Sequence, residues 1–251
     1  IKKKDIIIFE STVYPGLTID YCIPLLEKKN LLKEGLDFFV GYSPERVNPG
    51  DNAHDLKKID KILAYPHSYR KKELLNLYSL ISKKIIFTKN IREAETAKVI
   101  ENIQRDVNIG LINEIYLFCE KLNINFNNVI DLASTKWNFL KFKPGLVGGH
   151  CLPVDPYYFA YISKKNNFKT RITLAGRYIN DLMEVKVRKK IIKKLSSINP
   201  NKKKKVLICG LSYKKNVADL RNSLSLKIFN NLKDKYIKGY DPLIETNTAK
   251  K

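Results

Sequence analysis

A chain of 251 residues is long enough for one large domain or two modest ones with real cores. Hydrophobic residues at 44% and charged residues at 29% are ordinary for a globular protein, and no apolar run approaches the ~20 residues of a membrane span. The net charge of +22, from 47 Lys and Arg against 25 Asp and Glu, admits a polyanion partner, yet the lysines are scattered through many segments and compositional drift explains them better.

Ile1 to Asp5 leads into the apolar run Ile6 to Phe9, too short for a signal peptide and suited to a buried strand. The polar turn Glu10-Ser11-Thr12 follows, then Tyr14-Pro15-Gly16. Ile19, Cys22, Ile23 and Leu26 recur at helical spacing and predict a helix over 17–30, capped by Thr18 and disturbed by Pro24. Phe38-Phe39-Val40 reads as a short buried strand entering the segment Gly41 to Arg46. Residues 71–83 read as a helix and Ile85-Ile86-Phe87 as a further strand. Strands alternating with helices predict a doubly wound α/β arrangement.

From about residue 92 the period changes. Ile100, Ile103, Val107, Leu111 and Ile115 form one apolar stripe on a helix of roughly seven turns. Lys98, Asn102, Arg105 and Asp106 take a different face, where the pairs 98/102 and 102/106 stack one turn apart. A second helical block is expected over about 126–135, opened by Asn127. Residues 138–156 are irregular, rich in Gly and Pro, and contain Pro144 to Cys151. A long helix over about 171–197 comes next, and Asn199-Pro200-Asn201 with Lys202 to Lys205 marks a domain boundary. Beyond it, Lys205 to Gly210 is a buried strand, Ser223 to Leu232 a helix and Ile237 to Tyr240 strand-like, which is the opening of a second α/β domain of nucleotide-binding type.

Four cysteines, Cys22, Cys119, Cys151 and Cys209, show no paired spacing, so a reducing cytoplasm is expected rather than a disulfide framework. Three sit among apolar neighbours and read as buried, inert thiols. Cys151 differs because glycines precede it. Glycines let a ligand approach the backbone, and their amides can face developing negative charge. His150 and Asp155 are close in sequence and could bias the thiol or move protons. On spacing alone, a structural cysteine in a tight turn is about as good an account. No second ligand pair accompanies Cys151 and His150, so a metal site is not expected.

The string Gly148-Gly149-His150-Cys151-Leu152-Pro153-Val154-Asp155-Pro156-Tyr157-Tyr158 resembles the nucleophile loop of the UDP-glucose/GDP-mannose dehydrogenase family. It is most similar to the branch that oxidises UDP-N-acetylhexosamines to uronic acids for polysaccharides such as capsule and O-antigen. Further segments match in order: Glu10 to Val13 with Pro15-Gly16, Gly41 to Gly50, Glu95 to Asn108, Leu174 to Asp181, and Gly210 to Lys214 through Asp219 to Ser223. The resemblance implies three parts. Residues 1–91 would be the C-terminal part of an NAD-binding Rossmann-like domain. Residues 92–200 would be a central helical dimerisation domain with the catalytic loop, and 201–251 the beginning of a UDP-binding Rossmann-like domain. A homodimer would form through the 92–120 helix, with neither nucleic acid nor membrane as partner.

The implied chemistry is a four-electron oxidation of a sugar C6 alcohol with NAD, through a Cys151 thiohemiacetal and thioester. The resemblance gives Lys98 and Asn102 the oxyanion, and Asp155 and Glu45 the attacking water. Thr12 and Arg221 would hold NAD. Arg46, Arg105, Gly148, Tyr213, Lys214 and Arg177 would join Lys98 and Asn102 on the UDP-sugar. Taken without the motifs, Lys98 is a solvated lysine, Glu45 a turn cap, and Arg105 and Arg177 ion-pair partners. His54 and His67 read as surface residues. No three of the 11 glycines have the GxGxxG spacing of the dinucleotide fingerprint, so the resemblance implies a chain truncated at both ends and inactive alone. A cysteine hydrolase built on Cys151 and His150 is the enzymatic rival, and UDP-glucose the rival substrate. A basic polyanion-binding protein is the non-enzymatic rival.

Overall fold

The computed structural model describes residues 1–51, 57–198, 205–232 and 237–245. His54, the Asn199-Pro200-Asn201 boundary and most of the lysine run after it lie outside the described residues. The chain divides into two compact units, residues 1–102 with 158–169, and residues 103–157 with 170–251.

The first unit is built on a four-stranded sheet of β1 (Ile6–Phe9), β2 (Phe39–Tyr42), β3 (Lys61–Ala64) and β4 (Ile85–Thr88), in that spatial order. The pairs β1–β2 and β3–β4 are parallel, whereas β2 and β3 meet antiparallel at Tyr42 and Ala64. The sheet is therefore mixed at its centre. β3 escapes sequence reading because it opens on a lysine and offers only three apolar residues. Alternating side chains give the sheet two cores. One gathers Phe39, Leu63, Tyr65, Leu74 and Tyr78, and the other Tyr42, Ala64, Ile91 and Ala94. Gly41 sits where a Cβ would come within 2.8 Å of the Ala64 carbonyl oxygen.

The expected helix over 17–30 is two elements, a π-helical turn over Thr18–Cys22 and α1 over Ile23–Asn30, which places Pro24 at a helix start where proline is tolerated. Thr18 is not a cap. Its side chain is buried, and its amide donates to Glu95 Oε1 at 3.0 Å while the Gly16 amide donates to Glu95 Oε2 at 2.6 Å. A buried carboxylate brought from distant sequence thus does the capping. Helix α2 covers Lys71–Ser79, ending before residue 83.

Helix α3 runs unbroken over Ile91–Lys121. Its apolar stripe is only partly covered: Ile100 is 49% exposed and Leu111 53%, while Ile103, Val107 and Ile115 are half-buried. The buried residues of α3 include Glu95, Lys98, Asn102, Asp106 and Asn113. A polar stripe faces inward because it has polar partners inside, which periodicity alone does not reveal. Helix α4 covers Phe126–Ala133, and its cap is Asn125, whose side chain accepts from the amides of Asn127 and Asn128. Helix α5 (Asp155–Lys165) lies where the sequence reading put irregular chain up to 156, and α6 covers Arg171–Ser197.

The second unit ends in β5 (Val206–Cys209), α7 (Leu224–Leu232) and β6 (Ile237–Tyr240), with β5 and β6 parallel. This is the βαβ opening expected of a second α/β domain. Cys209 corrects the expectation of a buried thiol. It is exposed, because alternate residues of β5 face solvent. Among the described residues no helix is long and apolar enough to cross a membrane.

Candidate active site

In the second unit, α3 and α6 cross at two glycines. A Cβ on Gly110 would come within 2.8 Å of the Gly176 carbonyl oxygen, and one on Gly176 within 3.1 Å of the Val107 Cα. That close approach brings Arg177 against Asp106, both essentially without exposure to solvent. Arg177 Nη1 donates to Asp106 Oδ1 at 2.5 Å and to the Leu152 carbonyl at 3.3 Å, while Nη2 lies 3.3 Å from Asp181. Asn180 Nδ2 donates to Asp106 Oδ1 and to the Asp106 carbonyl, both at 2.8 Å. Asn180 Oδ1 accepts from Asn113 Nδ2 at 2.8 Å. Asn113 then closes on the loop, donating to the Gly145 carbonyl and accepting from the Gly145 amide.

The loop so anchored carries Cys151, which is partly buried. The Cys151 carbonyl accepts from the amides of Val154 and Asp155 at 3.0 and 2.9 Å, so the thiol sits on the turn that becomes α5. Asp155 is the first residue of α5 and is buried, and a helix N-terminus suits its carboxylate. Gly148 and Gly149 are required by what lies over them. A Cβ on Gly148 would meet the Asn222 carbonyl oxygen at 2.6 Å. Gly149 has φ +93°, and a Cβ there would meet the Tyr213 ring at 2.8 Å. Asn222 Nδ2 donates to the Gly149 carbonyl at 3.0 Å.

Tyr213 also meets the His150 ring edge-on at 6.0 Å. Burial, then Asp219, then Cys151 push its phenol up. Asp219 is held below the usual carboxylate range by hydrogen bonds from Arg221, which it binds through both oxygens, and lies 3.9 Å from His150 Nδ1. Arg221 is exposed and Lys214 partly buried, on the same segment. Ser223 caps α7, accepting from the Leu226 amide and donating to the Leu211 carbonyl. Among the sequence-expected residues, this unit therefore brings Gly148, Cys151, Tyr213 and Arg221 around one loop. Arg177 reaches that loop from behind, through backbone. Arg105 lies exposed on α3.

The first unit holds the others. Lys98 and Asn102 are both buried, at 8% and 7% exposure, one turn apart on α3. Lys98 is thus no ordinary solvated lysine. Arg46 is engaged by Glu101 through two nitrogens, at 2.8 and 3.3 Å, and by the Asp60 carbonyl. Glu45 accepts from the Val47 amide at 2.6 Å and lies 3.9 Å from Lys61 Nζ. Thr12 follows β1 and is partly buried. Sequence reasoning missed Lys61, a buried cation in β3 between Glu45 and Glu10. It also missed Asn113 and Asn180; polar residues at helical spacing on both α3 and α6 were the available signal.

Comparison with known proteins bears on this geometry. Models of the UDP-glucose/GDP-mannose dehydrogenase family match in order: its NAD binding domain at residues 1–82, its central domain at 92–182 and its UDP binding domain at 207–251. The chain is 44% identical over 231 residues to Protein CapL of Staphylococcus aureus, covering 91% of this chain and 54% of that protein. It is 41% identical over 257 residues to the UDP-N-acetyl-D-glucosamine 6-dehydrogenase of Pseudomonas aeruginosa, covering 99% and 60%. The solved UDP-D-ManNAc dehydrogenase of Pyrococcus horikoshii superposes with a TM-score of 0.85 at 33% identity, covering 98% of this chain and 59% of that one. The chain thus spans a little over half the length of the relatives it matches.

Proposed function

Because this chain belongs to the UDP-glucose/GDP-mannose dehydrogenase family, we propose that it carries the catalytic thiol of a UDP-N-acetylhexosamine 6-dehydrogenase. One observation carries this reading: Cys151 stands on a glycine loop that buried polar residues fix at Gly145 and Leu152, with Tyr213 packed on its glycines. A thiol held by backbone contacts on a partly open turn suits attack better than packing, which supports the reading. The relatives named above supply the substrate class.

In this reading the C6 alcohol is first oxidised to the aldehyde. The Cys151 thiolate adds to that carbonyl, forming a C–S bond and a tetrahedral oxyanion, the thiohemiacetal. Its oxidation gives a thioester. Water then adds, the C–S bond breaks, and the uronic acid leaves as the thiol is restored. Lys98 and Asn102 hold the oxyanion, and their burial raises the worth of a cation and an amide there. Asp155 and Glu45 order the water and take its proton. Arg46, Arg105, Gly148, Tyr213 and Lys214 bind the UDP-sugar, Lys214 as a point charge for the diphosphate. Thr12 and Arg221 would hold NAD, which would supply the hydride acceptor; Thr12 lies beyond the carboxyl end of a parallel strand, where α/β sheets receive dinucleotides. The protein acts as a homodimer joined through α3, in the cytoplasm, where its four free cysteines stay reduced.

The chain spans a little over half of its relatives and is expected to be inactive alone, so the test is oxidation of UDP-N-acetylglucosamine, UDP-N-acetylgalactosamine and UDP-glucose by a full-length protein that carries it, with mass spectrometry of the Cys151 peptide. The expected result is uronic acid from an N-acetylated sugar and a thioester mass on Cys151. Cys151→Ala should lower uronic acid formation by at least about 1,000-fold while UDP-sugar affinity changes little. Turnover of UDP-glucose alone would move the substrate within the family. Unimpaired uronic acid formation by Cys151→Ala would end the reading.

A further inference from the structure

Burying an Arg–Asp pair and two asparagines at a helix crossing is an expensive way to join α3 to α6, and apolar side chains would join them more stably. The network's exits explain its presence. Asn113 spends both polar ends of its amide on Gly145, and Arg177 reaches the carbonyl of Leu152, the residue after the thiol. Between these two anchors lie the glycines, His150 and Cys151 itself. All four side chains, Asp106, Asn113, Arg177 and Asn180, have 1% exposure or less, so each hydrogen bond is formed in a low-dielectric interior where geometry is strongly enforced. Arg177 meets Asp106 and the Leu152 carbonyl through Nη1 and stands 3.3 Å from Asp181 through Nη2, and the single nitrogen of a lysine cannot occupy both of those fixed positions.

We propose that Asp106, Asn113, Asn180 and Arg177 form a positioning frame for the Cys151 nucleophile, in which Arg177 sets the place of the thiol through the Leu152 carbonyl rather than touching substrate. The catalytic consequence rests on the dehydrogenase reading; the hold on the loop does not. The frame acts on a reacting sulfur whose displacement by even an ångström is costly to rate. Of the residues proposed to bind the UDP-sugar, only Gly148 lies in the segment it anchors.

The test compares Arg177→Lys, which keeps a cation beside Asp106, with Arg177→Met and the unaltered chain. Two readouts need no turnover: amide exchange across the loop and β2, and the iodoacetamide labelling rate of Cys151 relative to the exposed Cys209. In Arg177→Lys, loop exchange should quicken about tenfold and the Cys151 to Cys209 labelling ratio change at least about threefold, with β2 exchange unaltered. UDP-N-acetylglucosamine affinity should stay within about twofold and kcat fall about 10–100-fold at nearly constant KM. Weakened UDP-sugar binding with unaltered loop exchange would return Arg177 to the substrate and overturn the proposal. Exchange raised equally in loop and β2 would reduce the frame to a structural ion pair and overturn it as well. Failure of a full-length protein that carries this chain to oxidise any UDP-sugar would count against the dehydrogenase reading alone, since the loop readouts are judged separately.

Discussion

Asp106 gains little from ionisation where it lies. Burial first of all, with Asp181 adding repulsion, outweighs the attraction of Arg177 and the hydrogen bond of Asn180, and pushes its carboxyl up to about 6 from an ordinary 3.8. Tyr157 is the other titratable group that feels it. The sign follows from proton counting. Between about pH 4 and 6 the native state keeps a proton that the unfolded chain has lost, so this contribution is full below that window and disappears as pH rises through it. Unfolding free energies from urea titration should therefore fall from pH 4 toward 6 more steeply in the natural protein than in Asp106→Asn, by up to about 1.4 kcal/mol per pH unit. Parallel slopes in the two proteins would refute the assignment. The glycines before Cys151 left a nucleophile and a structural turn equally open in the sequence, and only the family resemblance favoured the nucleophile. Asp106 was legible only as a member of a polar helix face, since its partners Arg177 and Asn180 lie over 70 positions away.

At the scale of elements, period and type of helix were readable, and facing was not. The helical spacing of 92–120 emerges as α3, yet its apolar stripe is half-exposed and its polar one buried. Hydrophobic pattern selects the inward face only when the interior is apolar, and here the interior holds paired polar groups. Two elements were missed for local reasons: β3 hides behind Lys61, and α5 starts from Asp155-Pro156, a good helix opening read as loop. The glycine crossing of α3 and α6 makes a sharp prediction. Gly176→Ala gains about 1 kcal/mol of helix propensity. The new Cβ, however, lies 3.1 Å from the Val107 Cα, a backbone atom that cannot step aside, and separating the helices costs about 1–3 kcal/mol. The variant should melt lower and label faster at Cys151, because the crossing also sets the reach of Arg177. A higher melting temperature would show that the helices have slack.

For the whole molecule, sequence and charge pull in opposite directions. Leu111 and Phe118 stand seven residues apart on α3, so they share a face, and both are more than half exposed. In the homodimer proposed above, this stripe would be the surface for the second copy, and under two-fold symmetry it would meet itself. Each copy, however, carries a net charge of +22. Two such chains repel, and the repulsion is screened within about 10 Å at 0.1 M salt. Dimerisation should therefore strengthen as salt is added from low ionic strength. Binding of a UDP-sugar, an anion drawn to a basic protein, should weaken over the same range. Sedimentation velocity and calorimetric titration across one salt series read the two effects together. Leu111→Asp should abolish the dimer at all salt concentrations and leave UDP-sugar affinity nearly unchanged. A dimer that persists in that variant, or one that dissociates as salt rises, would mean that the α3 stripe is not the contact and that charged groups join the copies instead.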